Sequence, residues 1–343
     1  MVDCMIKAGT SKNHAQQLAN VLVAADIQGH YSHGLNRLDM YVRDIMEGIC
    51  MKDGTPKILK ENAASAWVDG NNLLGPVVGN FCMDIAIKKA KQAGVGWVVA
   101  KGSNHFGIAG WYSRRAMNEG LLGMAFTNTS PIMYPTRSSS AALGTNPITF
   151  AAKAKNDTFV LDMATTTAAI GKVEIAARKE QTVPDTWGVK KNGHVSNNPA
   201  EILSGGGLLP LGGTESTGGY KGYGLGALVE IICSILGDAQ WGPHVRKWMS
   251  TTSVANLGQC FISVNPDGFA PNFENRLQEF IDSMRGLKPV DNKRVLIAGD
   301  PEKEHTALVE KYGGIPYHQN QITHAEELAM TLGVQAMTVK NVA

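Results

Sequence analysis

Apolar residues recur at helical spacing through the first fifty positions, and Leu18, Val21, Leu22 and Ala25 form one stripe of a helix predicted over residues 3–29. A second helix is predicted over 35–47, stopping at Gly48. The period then changes. Residues 66–69 read as a strand, 75–92 as a helix turning Val78, Phe81, Ile85 and Ala86 inward, and 96–100 as a strand, which together make a strand-helix-strand unit. Asn104-His105-Phe106-Gly107 opens a helix over 110–118, and a strand over 122–128 follows. Beyond it, Pro131, Pro135, Gly144, Pro147, Gly171 and Pro184 punctuate short β-rich pieces such as 147–152 and 158–163, the texture of a largely antiparallel sheet. The most apolar helix is predicted over 222–236. A strand over 259–265, an amphipathic helix over 273–284, a strand over 294–297 and helices over 302–312 and 325–332 complete the chain.

With 343 residues, the chain is long enough for two or three domains with filled cores. Hydrophobic content of 43% and charged content of 18% are those of an ordinary globular protein, and a formal net charge of +2 offers no electrostatic footprint for nucleic acid. The apolar run over 225–236 is interrupted by Glu230 and is too short to span a bilayer, so no membrane partner is expected. Five scattered cysteines (Cys4, Cys50, Cys82, Cys233, Cys260), never spaced C-x-x-C, predict buried reduced thiols rather than disulfides or a thiolate metal site. No signal peptide is recognised before the first helix, so a cytoplasmic protein is expected, with a removed leader left open.

The densest chemistry lies in Ser32-His33-Gly34-Leu35-Asn36-Arg37-Leu38-Asp39-Met40-Tyr41, where His33, Arg37 and Tyr41 fall on every fourth position and would share a helical face. A guanidinium offers two parallel donors to a carboxylate and an imidazole titrates near neutrality, a set suited to a small 2-oxo or 2-hydroxy acid. A solvated helix face is the alternative for the same residues. His105, at a loop-to-helix junction, either faces a pocket or is a satisfied structural group. Gly222, Gly224 and Ala227 spell G-x-G-x-x-A, yet the segment before them is a polar glycine loop without a strand, so a Rossmann fingerprint is rejected. Glycines ahead of a helix, with Lys221 beside them, can hold a phosphate or form a packing turn. Gly144-Thr145-Asn146-Pro147 and Asp162-Met163-Ala164-Thr165-Thr166-Thr167 are turns that bind a ribose or diphosphate, or merely cap themselves. His30 and His33 make a poor zinc half-site, and no metal is expected.

In order along the chain, Ser32-His33-Gly34 with Arg37 and Tyr41, Asn104-His105-Phe106-Gly107, Leu143-Gly144-Thr145-Asn146-Pro147, Leu161-Asp162-Met163-Ala164-Thr165, Leu208-Leu209-Pro210-Leu211-Gly212, Gly219-Tyr220-Lys221-Gly222-Tyr223-Gly224 and Ala298-Gly299-Asp300-Pro301-Glu302 resemble the malate/L-lactate dehydrogenase family of NAD(P)-dependent oxidoreductases. The resemblance covers nearly the whole chain and implies an α/β (α+β) protein whose cofactor domain is not a Rossmann fold but a mostly antiparallel seven-stranded sheet, placed at roughly residues 112–290. The organisation expected is a helical N-terminal domain (1–50), an α/β domain (51–111, completed by 290–343) and an NAD-binding domain (112–289).

The resemblance further implies a homodimer with active sites near the interface and a small carboxylate substrate. His33, Arg37 and His105 would be catalytic; Arg37, Tyr41 and Arg137 would bind substrate, Arg137 as a second cation for a distal carboxylate. Asn146, Pro147, Asp162, Met163, Ala164, Thr165, Thr166, Gly171, Lys172, Lys221, Gly222, Gly299 and Asp300 would hold the cofactor, NAD with NADP left open. Ala298-Gly299 departs from the proline-glycine that ends this last motif in the family, which leaves its backbone role intact and puts Ala298 itself in doubt. L-malate is the first substrate expected, ahead of lactate, sulfolactate or a cyclic imine. Two rivals differ in class: a metal-dependent hydrolase using His30, His33 and Asp39, and a silent binding protein that keeps the fold.

Overall fold

A computed structural model describes residues 1–340. The helix expected over 3–29 is two helices, α1 (Val2–Lys7) and α2 (Lys12–Ile27), broken where Gly9 takes a left-handed φ of +105°. The next helix is also shorter than its pattern suggests. Residues Tyr31–His33 and Leu35–Arg37 form two 3₁₀ turns, and α3 begins only at Leu38 (Leu38–Met46), because Gly34 between the turns has a non-helical backbone.

The main sheet has seven strands in the order β1 (Lys57–Glu61), β2 (Ser65–Asp69), β3 (Val95–Ser103), β10 (Leu257–Val264), β4 (Leu122–Thr127), β5 (Ile148–Lys153) and β6 (Thr158–Met163). Only β2 and β3 run parallel, joined by α4 (Gly75–Ala93), as a crossover requires; every other pairing is antiparallel. The expected character of the sheet is therefore present, but not its expected extent: β1, β2 and β3 precede residue 112, and β10 returns from residue 257 to pair between β3 and β4.

Alternation along the central strands builds two cores. Val98, Ala100 and Phe261 face α4 and α5 (Gly110–Asn118), where Phe106 and Tyr112 are fully buried, whereas Val99, Cys260 and Ile262 face Val229 and Cys233 on the opposite side. All five cysteines are buried and none forms a disulfide, as their spacing predicts.

Past β6 come α6 (Ile170–Arg178), β7 (Gly188–Val189), β8 (Val195–Ser196), α7 (Pro199–Leu203) and β9 (Gly207–Leu208), the three short strands forming a separate sheet in the order β8-β7-β9. The apolar helix α8 starts three residues earlier than its pattern indicates (Gly219–Glu230) and continues through a π-helical segment, Ile231–Ile235. The chain closes with α9 (Phe273–Arg285), α10 (Asp300–Tyr312) and α11 (Gln319–Leu332). No strand forms over 294–297. Ile297 donates its N–H to the Asp300 carboxylate and Ala298 accepts from Val160, so this backbone is satisfied by an acid at the start of the next helix and by the edge of β6 rather than by a ladder. No described helix is long and apolar enough to cross a membrane.

Gly79 on α4 lies against the buried Tyr112 ring so closely that a Cβ there would overlap it. Gly79→Ala should destabilise the protein by about 1–3 kcal/mol through overpacking, read as a lower urea midpoint with unchanged m-value; an unaltered midpoint would show that α4 can move away from the ring.

Candidate active site

One buried carboxylate organises the turns that carry His33 and Arg37. Asp26, four positions after Leu22 on the apolar stripe of α2, is fully buried. Its carboxylate occupies the space a Cβ of residue 34 would need, which is why Gly34 stands there. Asp26 accepts the Leu35 N–H at 2.9 Å and the Tyr317 hydroxyl at 2.6 Å, so the C-terminal segment holds the turn from outside. Tyr31 adds a second tie through its hydroxyl, 3.1 Å from His305 Nε2. Burial lifts the Asp26 carboxyl to about 6, opposed by the Tyr317 and Leu35 donors and by His305.

His105 is fixed from the sheet side. Asn104 beside it donates to the Leu73 carbonyl at 2.9 Å and to Asn72 Oδ1 at 3.0 Å, and Gln259 on central strand β10 donates to the Asn104 carbonyl at 3.0 Å. His33, Arg37 and Tyr41 converge on this imidazole although they do not share one α-helix. The His33 and His105 rings stack with centroids 5.7 Å apart, and the Tyr41 hydroxyl lies 2.6 Å from His105 Nδ1. Trp248 completes the cluster, its ring 5.6 Å from His105 and 5.3 Å from the Arg37 guanidinium carbon.

The hydrogen bonds separate the two imidazoles chemically. Gly107 N–H points at His105 Nδ1 (3.4 Å), so that nitrogen accepts and the neutral ring carries its proton on Nε2 as a donor. On His33 it is Nδ1 that meets a partner, Ser32 Oγ at 2.9 Å, and Nε2 has no hydrogen bond among the described residues. Burial, then Arg37, then His30 push His33 down to about 4; burial, His33, Arg37 and Arg246 push His105 well below the ordinary imidazole range. Both rings are therefore neutral at pH 7. Arg37, held by its Nε donating to the Ser32 carbonyl at 2.6 Å, has no carboxylate partner within salt-bridge distance among the described residues. The arrangement is one base, one neutral donor and one cation without a counterion. It suits removal of a hydroxyl proton beside a bound carboxylate.

A small cavity adjoins His105, lined by Met40, Arg43, Thr129, Ser130, Arg246 and Trp248 among others. Arg137 is not brought there: its side chain is 78% exposed and pairs with Glu215 through two hydrogen bonds, at 2.9 and 2.7 Å. Nor do His30, His33 and Asp39 assemble as metal ligands, since His30 lies 3.5 Å from Glu302 and Asp39 pairs with Arg43 at 3.0 Å. Among the described residues no three His, Cys, Asp or Glu side chains group in a way that could hold a metal.

Several residues expected around a dinucleotide use their side chains internally. Asn146 donates to Glu230 Oε2 (2.6 Å) and the Gly226 carbonyl (2.9 Å); Asp162 accepts the Gly110 N–H at 2.7 Å; Thr165 donates to the Thr145 carbonyl and Thr166 to that of Ala168; and Asp300 pairs with Arg285. Those contacts shape the turns and leave backbone to meet a ligand. Met163, Ala164 and Pro147 are half-buried beside them. Gly299 is the N-cap of α10, with a left-handed φ of +100°.

Two helix N-termini fit an anionic group. Lys172 and Lys221 each occupy the third position of a helix, α6 and α8, behind a glycine at Gly171 or ahead of one at Gly222. Neither first turn contains an acid, and both lysines are exposed without a carboxylate partner among the described residues. Because α8 begins at Gly219, the G-x-G-x-x-A run lies within a helix, in keeping with its rejection as a Rossmann turn.

Asp26, Tyr317 and Trp248 were not foreseen from the sequence. An acid on the apolar stripe of α2 was a usable signal for the first, whereas the other two lie far along the chain with no local pattern to mark them.

The sequence profile of the malate/L-lactate dehydrogenase family matches residues 1–326. Malate dehydrogenase of Pyrococcus abyssi is 37% identical over 344 aligned positions, covering 99% of this chain and 94% of that protein. L-sulfolactate dehydrogenase of Methanocaldococcus jannaschii is 36% identical, covering 97% of this chain and 95% of that protein. Among solved structures, malate dehydrogenase from Pyrococcus horikoshii superposes with a TM-score of 0.90 at 34% identity, covering 98% of this chain and 93% of that one.

A carboxyl whose folded pKa is raised favours the folded state below its unfolded pKa, near 4, and loses that contribution as pH rises through about 6. Compared with Asp26→Asn, the wild type should therefore lose of order 2–3 kcal/mol in relative stability between pH 4 and 7. Chemical denaturation of both proteins across that range measures it; a wild type that gains relative stability would show a carboxylate stabilised in its charged form.

Proposed function

The chain belongs to the malate/L-lactate dehydrogenase family and is an NAD(P)-dependent dehydrogenase; on that premise we propose that it interconverts L-malate and oxaloacetate using NAD, with His33 as acid/base. The observation that carries the reading is the pairing of a neutral imidazole with an unpaired guanidinium, one 3₁₀ turn apart, around His105. His33 Nε2 takes the proton of the substrate hydroxyl. Arg37 holds the adjacent carboxylate and, by fixing orientation, lowers the entropic part of the barrier. His105 donates its Nε2–H to the reacting oxygen, and Tyr41 keeps that ring in place through Nδ1. The nicotinamide, when bound, supplies the acceptor for the hydride from the carbinol carbon. Lys172 with Gly171, Lys221 with Gly222, the 162–166 turn and Gly299 would hold its dinucleotide.

Sulfolactate is the second reading, supported by the relative from Methanocaldococcus jannaschii, since it presents a sulfonate where malate has its distal carboxylate. A homodimer is part of the proposal. Leu225, Leu228, Ile231 and Ile235 recur every three to four residues along α8 and its π extension and, with Leu236 just beyond it, are 37–59% exposed, an apolar ridge that a second copy would cover. A cytoplasmic location agrees with five buried thiols and no disulfide.

A spectrophotometric screen with both cofactors against malate, lactate, sulfolactate, ureidoglycolate and a cyclic imine should give the highest kcat/KM with malate and NAD. Absence of any cofactor-linked absorbance change across the panel would defeat the proposal. His33→Ala should lower turnover roughly 10²-fold or more with cofactor affinity unchanged; an unaffected kcat would remove His33 from the chemistry. The acidic limb of kcat/KM for alcohol oxidation should lie below the ordinary imidazole value, displaced toward about 4. Because Arg37 helps depress His33, Arg37→Gln should move that limb upward while weakening kcat/KM, and a limb that stays in place would separate the two groups.

A further inference from the structure

The segment from Val245 to Ala255 lines the cavity beside His105 as a strap, through Arg246, Trp248, Met249, Thr251 and Ala255. Both of its ends are anchored in the protein: Val245, Ala255 and Leu257 form a buried apolar cluster, and Asn256 takes the Gly102 N–H at 2.8 Å and pairs by backbone with Gln240. Between the ends, Arg246 forms an ion pair with Asp44 on α3 at 2.6 Å, the two side chains being 10% and 9% exposed. The same guanidinium donates to the Ser250 carbonyl at 3.0 Å, closing the strap on itself, and Met249 adopts a left-handed φ of +61° that reverses the chain just after Trp248. Its consequence is the placement of one indole, half-buried, against both His105 and Arg37.

We propose that Trp248 is a specificity-determining wall of the substrate pocket, closing it around a compact 2-hydroxy acid with a short anionic tail and excluding bulkier 2-oxo acids. The inference rests on the proposed 2-hydroxy acid chemistry and names what limits the tail. Stacked on the guanidinium, the ring restricts Arg37 to an orientation facing the imidazoles. Its contact with His105 keeps water from that side of the site. Asp44 and Arg246 act as positioning residues: they touch the strap and α3, and their pairing sets where the indole stands.

The test compares wild type, Trp248→Phe and Trp248→Ala on malate or oxaloacetate and on a bulky 2-oxo acid such as phenylpyruvate, together with the binding of tartronate to each protein in the presence of reduced cofactor by calorimetry. Trp248→Ala should move the kcat/KM ratio toward the bulky acid by roughly tenfold or more, the usual weight of even one methylene in a pocket. It should weaken tartronate by a similar factor, since the indole no longer holds Arg37 toward the imidazoles. Trp248→Phe, which keeps an aromatic face, should fall between the two and covers the case in which the alanine variant fails to fold. An unchanged ratio and tartronate affinity in the phenylalanine and alanine variants would overturn the proposal. The binding arm separates the two claims: a wild type inactive on every 2-hydroxy acid defeats the malate reading, whereas the tartronate comparison still decides whether Trp248 walls an anion pocket.

Discussion

The active-site arrangement depends on a single buried carboxylate. Asp26 takes the place of a side chain at position 34, accepts from the backbone of Leu35, and is closed over by Tyr317 from the far end of the chain. Without it, residues 31–37 would have no reason to form two 3₁₀ turns in place of one helix, and His33 and Arg37 would be carried on a different axis. Burying an acid is costly, and its raised pKa is the measure of that cost. Two hydrogen bonds and the absence of a Cβ on Gly34 offset part of it.

From that constraint the electrostatics follow. His33 stacks on His105 beside an arginine with no carboxylate partner within salt-bridge distance among the described residues, and burial followed by the Arg37 charge for His33, and by His33 and Arg37 for His105, keeps both rings neutral. An anionic substrate entering this group would supply the counterion Arg37 lacks. In the proposed reaction a neutral pair of imidazoles, one with a free nitrogen and one with an N–H, would face the oxygen whose proton moves. In that reaction a carboxylate is bound beside a reacting carbon, and the residues that would do so come from distant stretches of chain, with β10 supporting His105 through Gln259 and Asn104.

Local pattern carried much of the architecture into view. Strands β2 to β6 and helices α4, α5 and α9 lie within a few residues of their predicted bounds, because their apolar positions are set by neighbours at strand or helix spacing. Pairing order was not legible: β10 is inserted between β3 and β4 from more than a hundred residues away, and nothing local records such a partner. The run Arg294-Val295-Leu296-Ile297 has strand composition, yet the Asp300 carboxylate at the start of α10 takes the Ile297 N–H that a ladder would have used. At the site, His33, Arg37, Tyr41 and His105 were identified by residue type and motif and do converge. Arg137 had charge but lies at the surface on Glu215, and Trp248 had no pattern to announce it, since its partners are assembled only by the fold.

The most direct measurement is a crystal structure of the protein with reduced cofactor and tartronate bound together. His33 Nε2 is expected within roughly 3 Å of the ligand hydroxyl, with the Arg37 guanidinium on the adjacent carboxylate and the nicotinamide ring on the open face of the same carbon. A ligand bound away from His33, or a His33 ring turned toward bulk solvent with the dinucleotide elsewhere, would contradict the assignment.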